Sequence, residues 1–477
     1  MGQEIGSATF SASDFERFAR CLQAETGDLL ARARSGAFAD QRVRIGFELE
    51  SWLVDHHALP HAVNDSFLRR LDDAQVVPEL SRFNVELNAP PLDAGPGMLD
   101  TLADTLARIW HRCQRVAHAM DTTLASIGIL PTLREADLCI ANMSALNRYA
   151  ALNRQVLRQR GGMPVHIDIA GEDRLILQRR DVMLEAATTS FQLHLQVPYP
   201  QAARHYDAAV IAAAPLLAAA GNSPLLFGRR LWQETRVPLF EQAIELGGYA
   251  GLDDPGVRRV SLGQGYVGDD VMQLFEQNLH LFPVLLPVMP GDDASAFPHV
   301  RLHNGCIWRW VRPLIGFSDE GILHLRLEQR VLPAGPTLVD MVADAAFNFG
   351  LTRALAGLPV ATDRGLPFGA ARANFYRAAR DGLDARLRWL DGAEYAADEL
   401  IRRHCLPMAR DGLLALGLDE AEIERHLIII ALRVASGQTG AAWQLRAWRR
   451  HGGDARALML DYLENQRAGA PVHEWDV

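Results

Sequence analysis

The segment Arg44-Ile45-Gly46-Phe47-Glu48-Leu49-Glu50 alternates apolar and polar side chains from one residue to the next. Successive side chains of a strand point to opposite faces, so Ile45, Phe47 and Leu49 share one face while Glu48 and Glu50 share the other. Three further segments are built the same way. Phe83-Asn84-Val85-Glu86-Leu87-Asn88 sets Phe83, Val85 and Leu87 against Asn84, Glu86 and Asn88. Phe191 to Val197 presents Gln192, His194 and Gln196 on its polar face, and Leu323 to Arg330 presents His324, Arg326, Glu328 and Arg330.

These polar faces admit two readings. In the first they meet water, as in many antiparallel sheets. In the second they line one concave surface, and Glu48, Glu50, Glu86 and Glu328 converge. A carboxylate cluster repels itself unless cations fill it, and hard oxygen ligands suit Mg²⁺ or Mn²⁺. Arg326 and Arg330 flank Glu328 on the same face, and a guanidinium can grip phosphate oxygens in pairs. Metal and arginine around a phosphate are the apparatus of phosphoryl transfer. The polar faces carry no lysine, but neither does any other part of the chain, so that omission says little.

Outward from these strands, Ser11 and Ser13 precede a helical stripe of Phe15, Phe18 and Leu22. Leu99, Leu102, Leu106, Ile109, Cys113, Val116 and Met120 predict a helix over 98–127, stopped by Gly128. An alanine-rich helix is expected over 201–220, a hairpin over 300–332 with its turn near Ser318 to Gly321, a mainly helical chain from about 337, and an all-helical part beyond about 355. The expected division is a mixed body over 1–355 and a helical region over 356–477 packed on it.

The chain has 477 residues, 49% hydrophobic and 22% charged, with a formal net charge of -10. No basic patch stands out to meet nucleic-acid phosphates. Five widely spaced cysteines, with no CxxC pair, argue against a disulfide framework or a zinc site. The N-terminal residues show no basic stretch followed by an apolar run, and Ala208 to Ala220 is too short to span a bilayer. A cytoplasmic protein acting on small molecules, without a membrane or nucleic-acid partner, is expected; a homodimer is left open. No Walker A sequence is present, and Gly263-Gln264-Gly265-Tyr266-Val267-Gly268 does not visibly open a helix after a strand.

The Gly46-Phe47-Glu48-Leu49-Glu50 strand resembles the first metal-binding strand of type-2 glutamate–cysteine ligases and their carboxylate–amine ligase relatives. Arg326-Leu327-Glu328-Gln329-Arg330 resembles the R-x-E-x-R strand shared by glutamine synthetases and these ligases. Thr189 to Gln196, followed by Asn222-Ser223-Pro224, is similar to the Gln-containing strand and Asn-Ser-Pro turn of the plant-type enzymes. The resemblance covers roughly residues 40–355. It implies an α+β fold: a curved, glutamine-synthetase-like antiparallel sheet with helices on its outer face. It implies a ligase of the glutathione-biosynthesis kind that uses ATP and Mg²⁺ or Mn²⁺. Glutamate would be phosphorylated on its γ-carboxylate, and the amine of cysteine would attack the acyl phosphate.

By that resemblance Glu48, Glu50, Glu86 and Glu328 would be metal ligands, and Arg326 and Arg330 would hold the transferring phosphate. Gln192, His194, Arg309 and Arg312 are candidate nucleotide or phosphate contacts, and Trp232 and Arg236 candidate substrate contacts. One departure is Gln192-Leu193-His194, where many bacterial relatives carry His-x-His; it leaves the ligand set open. Other readings are a ligase for another acid and amine, a guanidino kinase and a catalytically inactive homologue. Cys306 reads as a small buried residue, since this chemistry needs no protein nucleophile. The tryptophans of Arg301 to Trp310 read equally as pocket or core. Arg148-Tyr149 resembles a recurring pair in relatives or is simply at the surface, and His473-Glu474-Trp475 is a docked tail or a loose end.

Overall fold

The four alternating segments are neighbouring strands of one antiparallel sheet in the computed structural model, which describes residues 4–246, 258–289, 294–358 and 365–476. β1 (Arg44–Val54) lies at its centre. On one side it pairs with β3 (Asn84–Asn88), beyond which runs β2 (Val76–Pro78). On the other side come β8 (Phe191–Gln196), β12 (Leu323–Gln329) and β11 (Val311–Phe317), giving the order β11-β12-β8-β1-β3-β2. Short strands β4 (Leu92–Asp93) and β5 (Thr123–Ala125) pair with the two ends of β1. Outside the sheet are the hairpins of β6 (Val165–Ala170) with β7 (Arg174–Arg179) and β9 (Leu225–Leu226) with β10 (Arg229–Arg230).

The pairing register aligns the polar faces into rows. Glu50 stands opposite Glu86, and Glu48 opposite both Asn88 and Gln192. His194 and Arg312 flank Glu328 from the two adjoining strands. A slip of one residue in any pair would turn these groups to the apolar side, so burial of the opposite face fixes the site.

That opposite face is the core. Ile45, Phe47, Leu49, Val85, Leu87, Phe191, Leu193, Leu325 and Leu327 are all buried there. Each such side chain contributes roughly 1.5–3 kcal/mol relative to exposure. Helix Tyr199–Ala220 packs against this face, and Gln329 Nε2 donates to the Ala209 carbonyl at 3.0 Å. Its run of alanines lets helix and sheet approach closely. Helix Leu338–Gly357 packs behind it and crosses helix Leu406–Ala415. At that crossing a Cβ on Gly412 would lie 1.9 Å from the Gly350 carbonyl oxygen, so only glycine permits the contact.

Several sequence expectations are corrected in detail. The helix expected over 98–127 ends at His118. Asp121 adopts a positive φ of 51°, the chain turns, and Thr123–Ala125 pairs with β1 instead. The hairpin expected over 300–332 is confined to Val311–Gln329, because Pro298 opens a helix that runs to Gly305. The region beyond 355 is not wholly helical: Arg386–Arg388 and Glu394–Ala396 form a small hairpin. Among the described residues no helix is long and apolar enough to cross a membrane.

Candidate active site

Among the described residues, two groups of side chains on the concave face could hold a metal ion. Glu48, His194 and Glu328 form one, and Glu50, Glu79 and Glu86 the other; within each, one ligand atom per residue lies within 4.8 Å of the rest. Gln192 sits between them. Its Nε2 donates to Glu50 Oε1 at 2.8 Å, and its oxygen accepts from Arg330. Arg330 also donates to Glu328 Oε2 at 3.0 Å. Glu48, Glu50, Glu86, Glu328, Gln192, His194 and Arg330, all named from the sequence, are thus gathered on one surface.

Arg312 is close by but engaged. Its Nε and a terminal nitrogen meet the two oxygens of Glu328 at 2.8 and 3.1 Å. Arg326 donates from Nε to His194 Nδ1 at 3.3 Å, while His194 Nε2 stands 3.2 Å from Glu48 Oε1. Arg309 turns elsewhere: it donates to Asn278 Oδ1 at 2.5 Å and its guanidinium lies over the Phe282 ring. Trp232 also lies apart, donating from its indole to the Ala170 carbonyl at 2.9 Å.

The electrostatics separate the two groups. Burial tends to raise Glu328, but Arg312 and Arg330 outweigh it and hold the carboxyl well below the usual range. Burial likewise opposes ionisation of Glu48, and His194 beside it leaves the value lowered. In the second group burial pushes Glu50 up to about 7, and the neighbouring Glu86 adds to the rise. Burial and neighbouring carboxylates raise Glu79 and Glu86 as well. Acids gathered without a balancing positive charge shift this way, and a bound cation would reverse the shift.

The residues fit divalent cations. Glu48 Oε2 is buried without a hydrogen-bond partner, and His194 Nε2 beside it faces only the other oxygen of the same carboxylate, so both groups have a coordination direction left over. The second group offers only carboxylate oxygens, the donors that Mg²⁺ and Mn²⁺ prefer.

Beside the second group a cleft opens, lined by Glu50, Glu79, Glu185, Arg236, Trp310 and Arg330 among others. Arg236 is 3% exposed; one terminal nitrogen donates to Glu234 and to the Val331 carbonyl, at 3.3 and 3.2 Å, while its Nε has no acceptor. Glu234 also accepts from the Asn222 amide and the Ser223 hydroxyl. The Asn222 side chain in turn meets the Ala334 carbonyl, Tyr462 and Gln444, the last two on C-terminal helices. The Trp310 indole donates to Glu241 Oε1 at 2.9 Å, and Tyr376 donates to the same carboxylate.

Two cleft residues escaped the sequence reading. Glu79 follows Pro78 at the end of β2, where no alternation marks it. Glu185 begins a single 3₁₀ turn ahead of β8. For Glu79 the pairing of Val77 with Glu86 was the one usable sign, and it exists only once the register is known. Arg148 and Tyr149 both donate to the Pro78 carbonyl, at 3.0 and 3.1 Å, and so fix the backbone beside Glu79. Cys306 is buried, with its thiol pushed up to about 11 by that burial. The loop of Gly263 to Gly268 is pinned by Asp207, which accepts from the Val267 and Gly268 amides. The tail is docked, with Trp475 edge-on to both Trp443 and Tyr462.

Solved structures share this architecture over nearly the whole chain. A glutamate–cysteine ligase from Francisella tularensis, in complex with AMP, aligns with a TM-score of 0.56 at 13% identity, covering 90% of each chain. A bifunctional glutathione synthetase from Pasteurella multocida aligns with a TM-score of 0.59, also at 13% identity. That alignment covers 92% of this chain and 54% of the longer one. At such identity the likeness is one of fold. No curated protein matches the chain in sequence.

The fold and the family evidence together define an ATP-dependent carbon–nitrogen ligase. The chain belongs to glutamate–cysteine ligase family 2, whose family model matches residues 44–461.

Proposed function

We propose that the protein phosphorylates the side-chain carboxylate of glutamate with ATP and joins the resulting acyl phosphate to the amine of cysteine, giving γ-glutamylcysteine. The observation that carries this reading is the pairing of two carboxylate groups with Arg326 and Arg330 on one concave sheet face. A carboxylate resists attack by an amine because its leaving group would be oxide; phosphorylation replaces that with phosphate. Glu48, His194 and Glu328 would hold one Mg²⁺ or Mn²⁺, and Glu50, Glu79 and Glu86 another. Such ions, when bound, neutralise phosphate charge and polarise the bond that breaks.

This chain's own residues do the remaining work. Arg330 and Arg326 stabilise the phosphoryl group as charge moves onto it in transfer. Gln192 fixes Arg330 against the sheet, and Arg312 keeps Glu328 ionised and in one orientation. Arg236 takes the α-carboxylate of the acid on the unpaired edge of its guanidinium.

The test is ADP release with Mg²⁺ over a panel of acids and amines, with the mass of each product measured. Glutamate and cysteine together should give the largest rate, with weaker activity on α-aminobutyrate, since a thiol offers little grip beyond its size. Glutamate with a different preferred amine would keep the mechanism and change the product. No amide from any pair would overturn the proposal.

A further inference from the structure

Glu185 lines the cleft but belongs to neither carboxylate group. Among the described residues no arginine or histidine pairs with its carboxylate and no hydrogen bond reaches it. Burial and the nearby Glu50 push it up to about 8, against the opposing pull of Arg330 across the cleft. The turn that carries it, Glu185–Ala187, packs against helix Arg236–Ala243, which begins with Arg236. Two arginines of the cleft are more than nine-tenths buried and each keeps an Nε without an acceptor: Arg236 and Arg330. The cleft therefore offers one unsatisfied acid and two unsatisfied guanidinium edges. A zwitterion with a second carboxylate complements that set; a simple dicarboxylate leaves the acid unmatched.

We propose that Glu185 accepts the α-ammonium group of the acid substrate while Arg236 takes its α-carboxylate, so that the cleft selects a free α-amino acid over the corresponding dicarboxylate. This rests on the ligase reading above. The incoming amine is the poorer occupant of Glu185. It must reach the acyl phosphate as the free base, and a carboxylate gripping its ammonium form would hold the proton on the nucleophile. The ammonium of the acid substrate takes no part in bond formation and can stay charged throughout.

Glutarate is the decisive probe, since it keeps both carboxylates of glutamate and lacks only the ammonium. For the wild-type chain, kcat/KM should favour glutamate over glutarate by about 10²-fold or more, because a site built around a polar group rejects the analogue without it. In Glu185→Gln that ratio should fall at least tenfold, through a higher KM for glutamate with glutarate unchanged. The substitution is nearly isosteric, and a melting curve checks the fold. An unchanged ratio would overturn the inference. So would equal loss of kcat on both acids, which would make Glu185 part of the chemistry, or a raised KM for the amine alone. Calorimetric binding of the two acids to the full chain with Mg²⁺ and a non-hydrolysable ATP analogue separates this from the ligase reading. If no amide forms with any pair, a glutamate preference lost in Glu185→Gln still supports the site, and equal affinity for both acids overturns it.

Discussion

Arg312 grips Glu328 by both oxygens, at 2.8 and 3.1 Å, with each side chain only 1% exposed. The planar fork sets the tilt of the carboxylate as well as its charge. Arg312→Lys keeps the charge and loses the fork. The Mg²⁺ concentration for half-maximal ADP release should rise about 10- to 100-fold, the range typical when a partner of a metal ligand is removed. A wild-type Mg²⁺ response would mean the fork has no part in the site.

Glu328 is the hinge of the ligase reading. Glu328→Ala would strand Arg312 and Arg330 in the interior, and breaking such buried pairs typically costs about 3–5 kcal/mol. Glu328→Gln and Glu48→Gln are the cleaner tests. Both should melt within a few degrees of wild type and form no detectable ADP with glutamate, cysteine and Mg²⁺. Normal turnover in either would remove the metal roles proposed here.

Arg330→Lys should slow turnover by on the order of 10²-fold, as expected for loss of a preorganised charge-stabilising donor. ATP binding should weaken less, because charge shifts onto the departing phosphate only in the transition state. Steady-state rates beside equilibrium titration with a non-hydrolysable analogue measure the two separately. Equal losses in both would reduce Arg330 to a simple ATP-binding group.

After treatment with EDTA, activity should return with Mg²⁺ or Mn²⁺, and a zinc-selective chelator should leave the untreated enzyme unaffected. Carboxylate oxygens dominate both groups, and no cysteine joins either of them. Stoichiometric zinc in the purified protein, lost together with activity, would count against this.

Burial lifts Glu241 from an ordinary 4.5 to about 7. Between those values the folded carboxyl keeps a proton that the unfolded chain has released. Its contribution to stability is therefore present at acid pH and lost as pH rises through about 7. Gln at this position does not titrate. The melting-temperature difference between wild type and Glu241→Gln should thus shrink, or turn in favour of the variant, from pH 5 to pH 8. A difference that does not vary with pH would show that Glu241 titrates normally.

The sheet was legible because four of its strands alternate strictly, and alternation survives whatever the rest of the chain does. What closes the site was not. Glu79 and Glu185 stand on a strand end and a single turn, where no period exists to flag them. Arg309 and Arg312 looked equivalent in sequence. Their difference comes from Asn278, on a separate helix, which holds Arg309, and from the strand pairing that delivers Glu328 to Arg312. The long helix was overextended because Leu124 and Ile127 continue an apolar pattern, while the turn at Asp121 depends on one left-handed residue. Trp232 was chosen for its place in a motif, and its indole in fact anchors the neighbouring β6–β7 hairpin.

Asn222 also bears on any attempt to graft this catalyst onto another scaffold. Its one side chain joins the Ala334 carbonyl, Tyr462 and Gln444, and Gly440 packs so tightly that a Cβ there would lie 2.1 Å from the amide oxygen. The same residue leads through Glu234 to Arg236. A designer who trims the last helices to obtain a minimal sheet would leave that amide without its partners and loosen Arg236 at the cleft. The workable unit of transplantation is therefore the sheet together with helices Gly440–Arg450 and Ala455–Ala468.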